Sequence, residues 1–365
     1  MKKNFENYLF YLIPILILIT NFFKWSTGEF ITPDSRWYFK IAEGFPNLQT
    51  TTFPIFYPLV LKAADFFFNN LEITYKVVSS FALLFSFLYV RIKNFFWKEI
   101  WTVLSFSCFL NLYPYAWSEI LIIPLLLIIS SVNYSYLTDS SKNYSKRIYL
   151  IFVCTLTLVT MCITKYNSLF FIIGLGLFAL LNYKNKIVLK TYLSIALLSF
   201  ACVGLYALNN YLQMGSLFGN RNGVNANGRY DLNTSLMNIV VVLNPFYQKV
   251  HGTLFYIPKY FYSIGFGFVH LVIGLTIIFK SYQKVKENSI VSFFLCLSIT
   301  FLALTIYSYL TTTLDPLNNR LLLGYYFFFY ISVIASFKQL YPKKSYPLLL
   351  VGIGLFSIIL FNWLN

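Results

Sequence analysis

The chain has 365 residues, of which 58% are hydrophobic and only 11% charged, with a mean hydropathy of +0.66; soluble domains carry charge at roughly 25% of positions. That composition excludes an ordinary soluble enzyme and predicts an integral membrane protein built of helices. The formal net charge of +16 is read below as a signature of membrane topology, and nucleic acid is not needed as a partner.

In chain order, apolar runs long enough to cross roughly 30 Å of hydrocarbon as helices fall near 7–23, 74–92, 100–114, 119–137, 149–164, 167–182, 191–208, 260–279, 289–310, 321–337 and 346–363. The expectation is therefore an all-α polytopic protein of about eleven transmembrane helices in one domain spanning 1–365. The first run lacks a small-residue cleavage site and is expected to stay as an anchor. The stretch 53–68 carries two prolines, Lys62 and Asp65, and suits an interfacial or re-entrant helix better than a span. With the N-terminus placed in the cytoplasm, 17 of the 28 Lys and Arg fall in short inner clusters such as Arg91, Lys93 and Lys98, or Lys184, Lys186 and Lys190. Every inner loop is then basic, as the positive-inside rule requires. Eight of the twelve acids face outward in the same scheme, among them Asp34, Glu43, Glu119 and Asp315. The five cysteines sit in apolar runs without paired spacing and read as small packing residues.

Two outward segments, 24–73 and 209–259, exceed connector length and are expected to cover an active site. The first contains TPDSRWYFKIAEG, residues 32–44. Thr32 suits an N-cap, Pro33 the first helical position, Asp34 the first turn and Gly44 the end, which predicts a short surface helix with Asp34 and Tyr38 one turn apart on one face. By spacing alone, Asp34 either complements the helix dipole or acts as a base. The second contains GSLFGNRNGVNANGRYDLNTS, 215–235, a turn-rich loop or lid that bears Arg221 and Arg229.

Asp34, Ser35, Tyr38 and Ala42, followed by Pro54, Tyr57, Pro58 and Leu59, resemble the first outer loop of the GT-C superfamily of polytopic glycosyltransferases, in particular the bacterial relatives of the protein mannosyltransferases. Ser118 and Glu119 at a span start, Thr164, Lys165 and Leu169, the loop bearing Gly215, Gly219 and Arg221, and the stretch from Asp315 to Arg320 match further pieces in the expected order. The first loop departs in carrying Ser35 where a second acid stands in the doubled-acid members, so that role falls to Glu43 or Glu119 or is absent.

The resemblance implies a GT-C-like fold with interfacial helices in the first outer loop. It also implies transfer of a sugar from a polyprenyl-phosphate donor to a hydroxyl of a lipid-linked glycan or other envelope acceptor, at the outer face of the cytoplasmic membrane. Asp34 is then the base. Arg320, Lys165 and Arg221 are candidates for the donor phosphate, and Tyr38, Tyr57, Glu119, Glu43 and Arg229 for substrate contact. Bland readings stand beside these: a lysine at a span end snorkels, Arg320 pairs with Asp315, Glu119 caps a solvated helix start, and the tyrosines anchor at the interface. No cofactor is called for, and neither a D-x-D pair nor a zinc-like histidine spacing occurs. The expected partners are donor, acceptor and membrane lipids. A flippase for lipid-linked glycans, or an O-antigen-type polymerase, is the alternative; the first would show internal repeats and broken helices.

Overall fold

The computed structural model describes residues 7–28, 30–47, 53–139, 143–217, 239, 242–245, 257–284, 289–311, 317–342 and 346–364. Every regular element among them is helical. Six helices are long and apolar enough to cross a membrane: Asn7–Ser26, Leu71–Ile92, Glu119–Thr138, Tyr144–Thr164, Lys186–Met214 and Ser289–Thr311. At 1.5 Å per residue even the shortest spans about 30 Å. The chain is a multi-pass helical membrane protein.

Two compact units divide the chain. One comprises Gly28–Lys93 and Tyr113–Gly223, the other Met1–Thr27, Asn94–Leu112 and Val224–Asn365. In chain order the helices are α1 (Leu12–Thr27), α2 (Pro33–Gly44), α3 (Phe56–Phe68), α4 (Leu71–Ile92), α5 (Trp97–Leu104), α6 (Ser107–Leu110), α7 (Glu119–Thr138), α8 (Tyr144–Thr164), α9 (Leu169–Leu181), α10 (Lys186–Met214), α11 (Ile257–Lys284), α12 (Ser289–Thr311), α13 (Leu323–Leu340) and α14 (Pro347–Leu364).

The unit built of α2–α4 and α7–α10 starts its helices on polar caps. Asn70, Asn143 and Asn185 each accept backbone N–H bonds at the heads of α4, α8 and α10, which satisfies amides that hydrocarbon would leave bare. Left-handed residues close two helices: Asn69 ends α3, and Gly215 at φ 68° ends α10 with its N–H on the Tyr211 carbonyl. Gly tolerates that conformation because it has no Cβ. Several polar side chains inside the spans bond neighbouring helices or their own preceding turn. Tyr89 on α4 meets the Ser131 hydroxyl on α7 at 2.6 Å, and Asn133 on α7 donates to Cys154 Sγ on α8 at 3.2 Å. Ser86 and Thr157 bond back to the carbonyls four residues earlier, the usual way a hydroxyl is accommodated in a helix.

In the other unit, Thr102 on α5 donates to the Leu350 carbonyl on α14 at 3.3 Å, Ser298 on α12 to the Tyr325 carbonyl on α13 at 3.0 Å, and Ser281 on α11 to Gln339 on α13 at 2.8 Å. Lys338 pairs with Glu99 at 2.5 Å. Aromatic rings fill much of the space between helices: Trp97 and Trp101 meet edge to face at 4.9 Å, and Phe294 stacks on Phe328 at 6.1 Å. Gly274 on α11 lets α13 approach so closely that an added Cβ would lie 2.7 Å from Phe329 Cζ.

Two expected spans differ in the structure. The run 100–114 is broken: α5 ends at Leu104, Phe106 is extended at φ −70° and ψ 149°, and α6 is one turn. Outside the helix ladder, the Cys108 N–H bonds the Pro245 carbonyl at 2.9 Å. Apolarity predicted the burial of this run but not the break, because the carbonyl that takes the N–H is distant in sequence. The run 167–182 becomes a 3-10 turn, Tyr166–Ser168, leading into the 13-residue α9, too short to cross the hydrocarbon. The stretch 53–68 forms α3, also 13 residues. The expected span 260–279 falls within α11, and 321–337 and 346–363 overlap α13 and α14, which begin at Leu323 and Pro347. The five cysteines form no disulfide.

Candidate functional site

α2 forms as its sequence dictates. Thr32 is extended and accepts from the Ser35 N–H at 3.3 Å, while Ser35 Oγ accepts from the Thr32 N–H at 3.1 Å, a complete capping box. Pro33 begins the helix and Asp34 lies in its first turn. Ser35, which stands where a second carboxylate was sought, is thus half of the cap and fully buried. Trp117 Nε1 donates to Thr32 Oγ1 at 2.9 Å. Its ring stacks on Tyr115 at 4.2 Å, Tyr115 meets Phe30 edge-on at 5.2 Å, and the Ala116 N–H bonds the Phe30 carbonyl at 3.4 Å. The start of α2 is therefore held against the segment that leads into α7.

One turn after Asp34, Tyr38 repeats the attachment. Its phenol meets the Ser118 hydroxyl at 3.1 Å, and its ring packs edge-to-face on Tyr57 at 5.0 Å and Phe53 at 5.1 Å. Ser118 in turn donates to Glu119 Oε2 at 3.3 Å. Glu119 Oε1 is paired with the Lys165 ammonium. The Glu119 side chain is 0% exposed and that of Lys165 15%, so this is a buried ion pair at one end of the unit. Helix ends support both charges. Glu119 opens α7, where the macrodipole is positive, and Lys165 is the C-cap of α8, where it is negative. Beyond Lys165, Tyr166 hydrogen-bonds Tyr206 and Asn210 of α10, and Asn210 reaches the Leu217 carbonyl at 3.2 Å.

Tyr57 is fully buried, and its hydroxyl has no hydrogen-bond partner. Burial, then Tyr38, Glu119 and Tyr75, push its phenol well above the usual range, so it is a neutral donor at any working pH. This buried, unmatched O–H lies within electrostatic reach of the Glu119 carboxylate and offers a bond to a ligand or to a water.

Of the residues singled out from sequence, Tyr38, Tyr57, Glu119 and Lys165 gather in this cluster, and Asp34 stands one turn from Tyr38, half-buried. Glu119 is not solvated, and Lys165 is engaged with it rather than snorkelling. Glu43 is exposed at the end of α2. Arg320 belongs to the other unit, half-buried in the turn before α13; in that turn Asn319 accepts from the Tyr326 hydroxyl at 3.3 Å. Arg221, Arg229, Gly219 and Asp315 lie outside the described residues. Sequence reasoning missed Trp117, Tyr166, Tyr206 and Asn210; only the density of aromatics beside Ser118 and Lys165 hinted at them. Among the described residues no three His, Cys, Asp or Glu side chains gather where a metal ion could be held.

The cluster joins a fixed acid–base pair, a free phenol and a helix-mounted carboxylate at the ends of four helices, an arrangement able to orient a hydroxylated or anionic head group. No protein-family model, curated protein or solved structure matches the chain.

Proposed function

We propose that the chain is a membrane glycosyltransferase of GT-C type, which moves a sugar from a polyprenyl-phosphate donor to an acceptor hydroxyl at the outer face of the cytoplasmic membrane. The observation that carries this reading is the fastening of the Asp34 helix, through Thr32–Trp117 and Tyr38–Ser118, to the head of α7, where Glu119 and Lys165 are paired. An acid on a helix fastened to the head of a span whose first residue holds a cation is what proton abstraction next to a departing lipid phosphate requires.

In the proposed step Asp34 takes the proton of the acceptor O–H. The acceptor oxygen forms a bond to the anomeric carbon from the face opposite the phosphate, inverting it. The bond from that carbon to the phosphate oxygen breaks, and the electron pair leaves on the polyprenyl phosphate. Lys165 is assigned to the phosphate, with Arg221 of the same unit; Glu119 holds Lys165 in place. Tyr38 positions α2, the Tyr57 hydroxyl donates to a sugar oxygen, and Glu43 and Arg229 are assigned to the acceptor side.

The test is Asp34→Asn in the purified protein in nanodiscs, supplied with a polyprenyl-phosphate sugar and a lipid-linked glycan acceptor. Loss of the base is expected to lower turnover by about 10²- to 10⁴-fold with an unchanged melting temperature. Undiminished turnover removes Asp34 from the mechanism.

A further inference from the structure

Toward the end of α7 away from Glu119 lies a second polar cluster, which the proposed reaction does not use. Asn133 is buried there, roughly 21 Å along the helix from Glu119 and about 7.5 Å short of its end at Thr138. Both hydrogens of its amide are committed: Nδ2 donates to the Ile129 carbonyl at 2.6 Å and to Cys154 Sγ of α8 at 3.2 Å. The Ile129 carbonyl fixes that orientation, because a flipped amide would set oxygen against oxygen. Asn133 Oδ1 therefore points elsewhere, and it is buried with no hydrogen-bond partner in the protein. One turn along the same face of α7, the Tyr136 hydroxyl is buried and unmatched as well. Tyr192 of α10, whose ring meets Phe178 edge-on at 4.9 Å, lies within electrostatic reach of both Cys154 and Tyr136 and closes the cluster.

We propose that Asn133 and Tyr136 hold a water molecule between α7, α8 and α10, which donates one hydrogen to Asn133 Oδ1 and accepts the Tyr136 O–H, with Cys154 and Tyr192 completing its shell. Three features select this occupant. A bare acceptor and a bare hydroxyl on one helix face need a molecule that both gives and takes hydrogen bonds, which hydrocarbon cannot do. None of the four side chains is charged at neutral pH, so an ion would be buried without a counter-charge. All four are at most 4% exposed, which closes the site to a larger polar molecule, while Asn133 is only about one and a half turns from the helix end and the wet membrane surface. Cys154, in sequence a small packing residue, thereby belongs to a hydrogen-bonded joint among three helices in hydrocarbon.

The experiment joins a density map of the full chain in nanodiscs, at a resolution that shows ordered water at other buried sites, with SDS unfolding of Tyr136→Phe. Density is expected about 2.5–3.2 Å from both Asn133 Oδ1 and Tyr136 Oη. With the water bound, Tyr136→Phe removes a hydrogen bond that is made and should raise the unfolding constant about two- to tenfold; in a dry site it deletes an unmatched hydroxyl and lowers that constant. In an Asn133→Leu background the water has lost its acceptor, and Tyr136→Phe should no longer raise the unfolding constant.

A map with other buried waters in place and none here overturns the assignment, as does a Tyr136 hydroxyl bonded directly to a protein acceptor. So does a Tyr136→Phe chain more stable than the parent, or an equal loss in both backgrounds. The map and the single variant decide the matter even where the Asn133→Leu chain fails to fold.

Discussion

Replacing Lys165 by Met keeps the length and apolar stem of the side chain and removes the ammonium from a carboxylate that is 0% exposed. The Ser118 hydroxyl at 3.3 Å is a neutral donor and does not balance the charge left behind. Breaking a buried pair from one side costs about 3–5 kcal/mol, a shift of roughly two to three and a half orders of magnitude in the unfolding equilibrium. Glu119→Gln alone should cost less, because Lys165 retains 15% exposure and a flexible stem that turns its charge toward water. The double variant Lys165→Met with Glu119→Gln should return to within about 1 kcal/mol of the parent, since no uncompensated charge remains. The assay is reversible unfolding in detergent under an SDS titration, followed by Trp fluorescence. Lys146→Met is the internal reference, because its pair with Asp139 has 51% and 23% side-chain exposure and is worth about 0–1 kcal/mol. If Lys165→Met costs no more than Lys146→Met, the claim of a buried, mutually dependent pair is wrong.

Tyr57→Phe deletes an unmatched buried hydroxyl and should raise the stability of the unliganded chain by roughly 1 kcal/mol while weakening binding of a sugar-phosphate lipid; a lower melting temperature would show that the hydroxyl already has a partner. Thr32→Ala removes both the cap of α2 and the acceptor of Trp117 Nε1, a loss of about 1–2 kcal/mol that should be accompanied by a shift in Trp emission; unchanged stability would deny the capping box its role. Gly274→Ala places a Cβ 2.7 Å from Phe329 Cζ and should cost about 1–3 kcal/mol in thermal melts, whereas Gly176→Ala, with nothing within 4 Å, should be neutral or stabilising by about 0.5–1 kcal/mol.

What the sequence disclosed was whatever is encoded locally. The Thr–Pro–Asp start of α2 is a short-range code, because a cap, a fixed φ and a dipole partner act within one turn, and the helix runs Pro33–Gly44 as read. The spans near 74–92, 119–137, 149–164, 191–208 and 289–310 were legible from apolar length alone, and helices occupy all five. Pairings across the fold left no such mark. Glu119 and Lys165 are 46 residues apart and Tyr38 and Ser118 are 80 apart, so nothing in their spacing announces a contact. Glu119 could be read as a solvated helix start or as a substrate-facing acid because, in sequence, a carboxylate beside a span reads the same whether water or a lysine meets it. The break after Leu104 was hidden for the same reason: the carbonyl that replaces the helix ladder belongs to Pro245.

α2 is only 12 residues long, below the length at which an isolated helix holds its shape in water, so its direction is set by its tertiary contacts, among them two side-chain hydrogen bonds. Both land on one dipeptide, Trp117–Ser118, and the next residue is the one that grips Lys165. Three consecutive residues, 117–119, thus carry both the bonds that fasten the surface helix and the carboxylate of the ion pair, so a backbone shift at the head of α7 is felt by both.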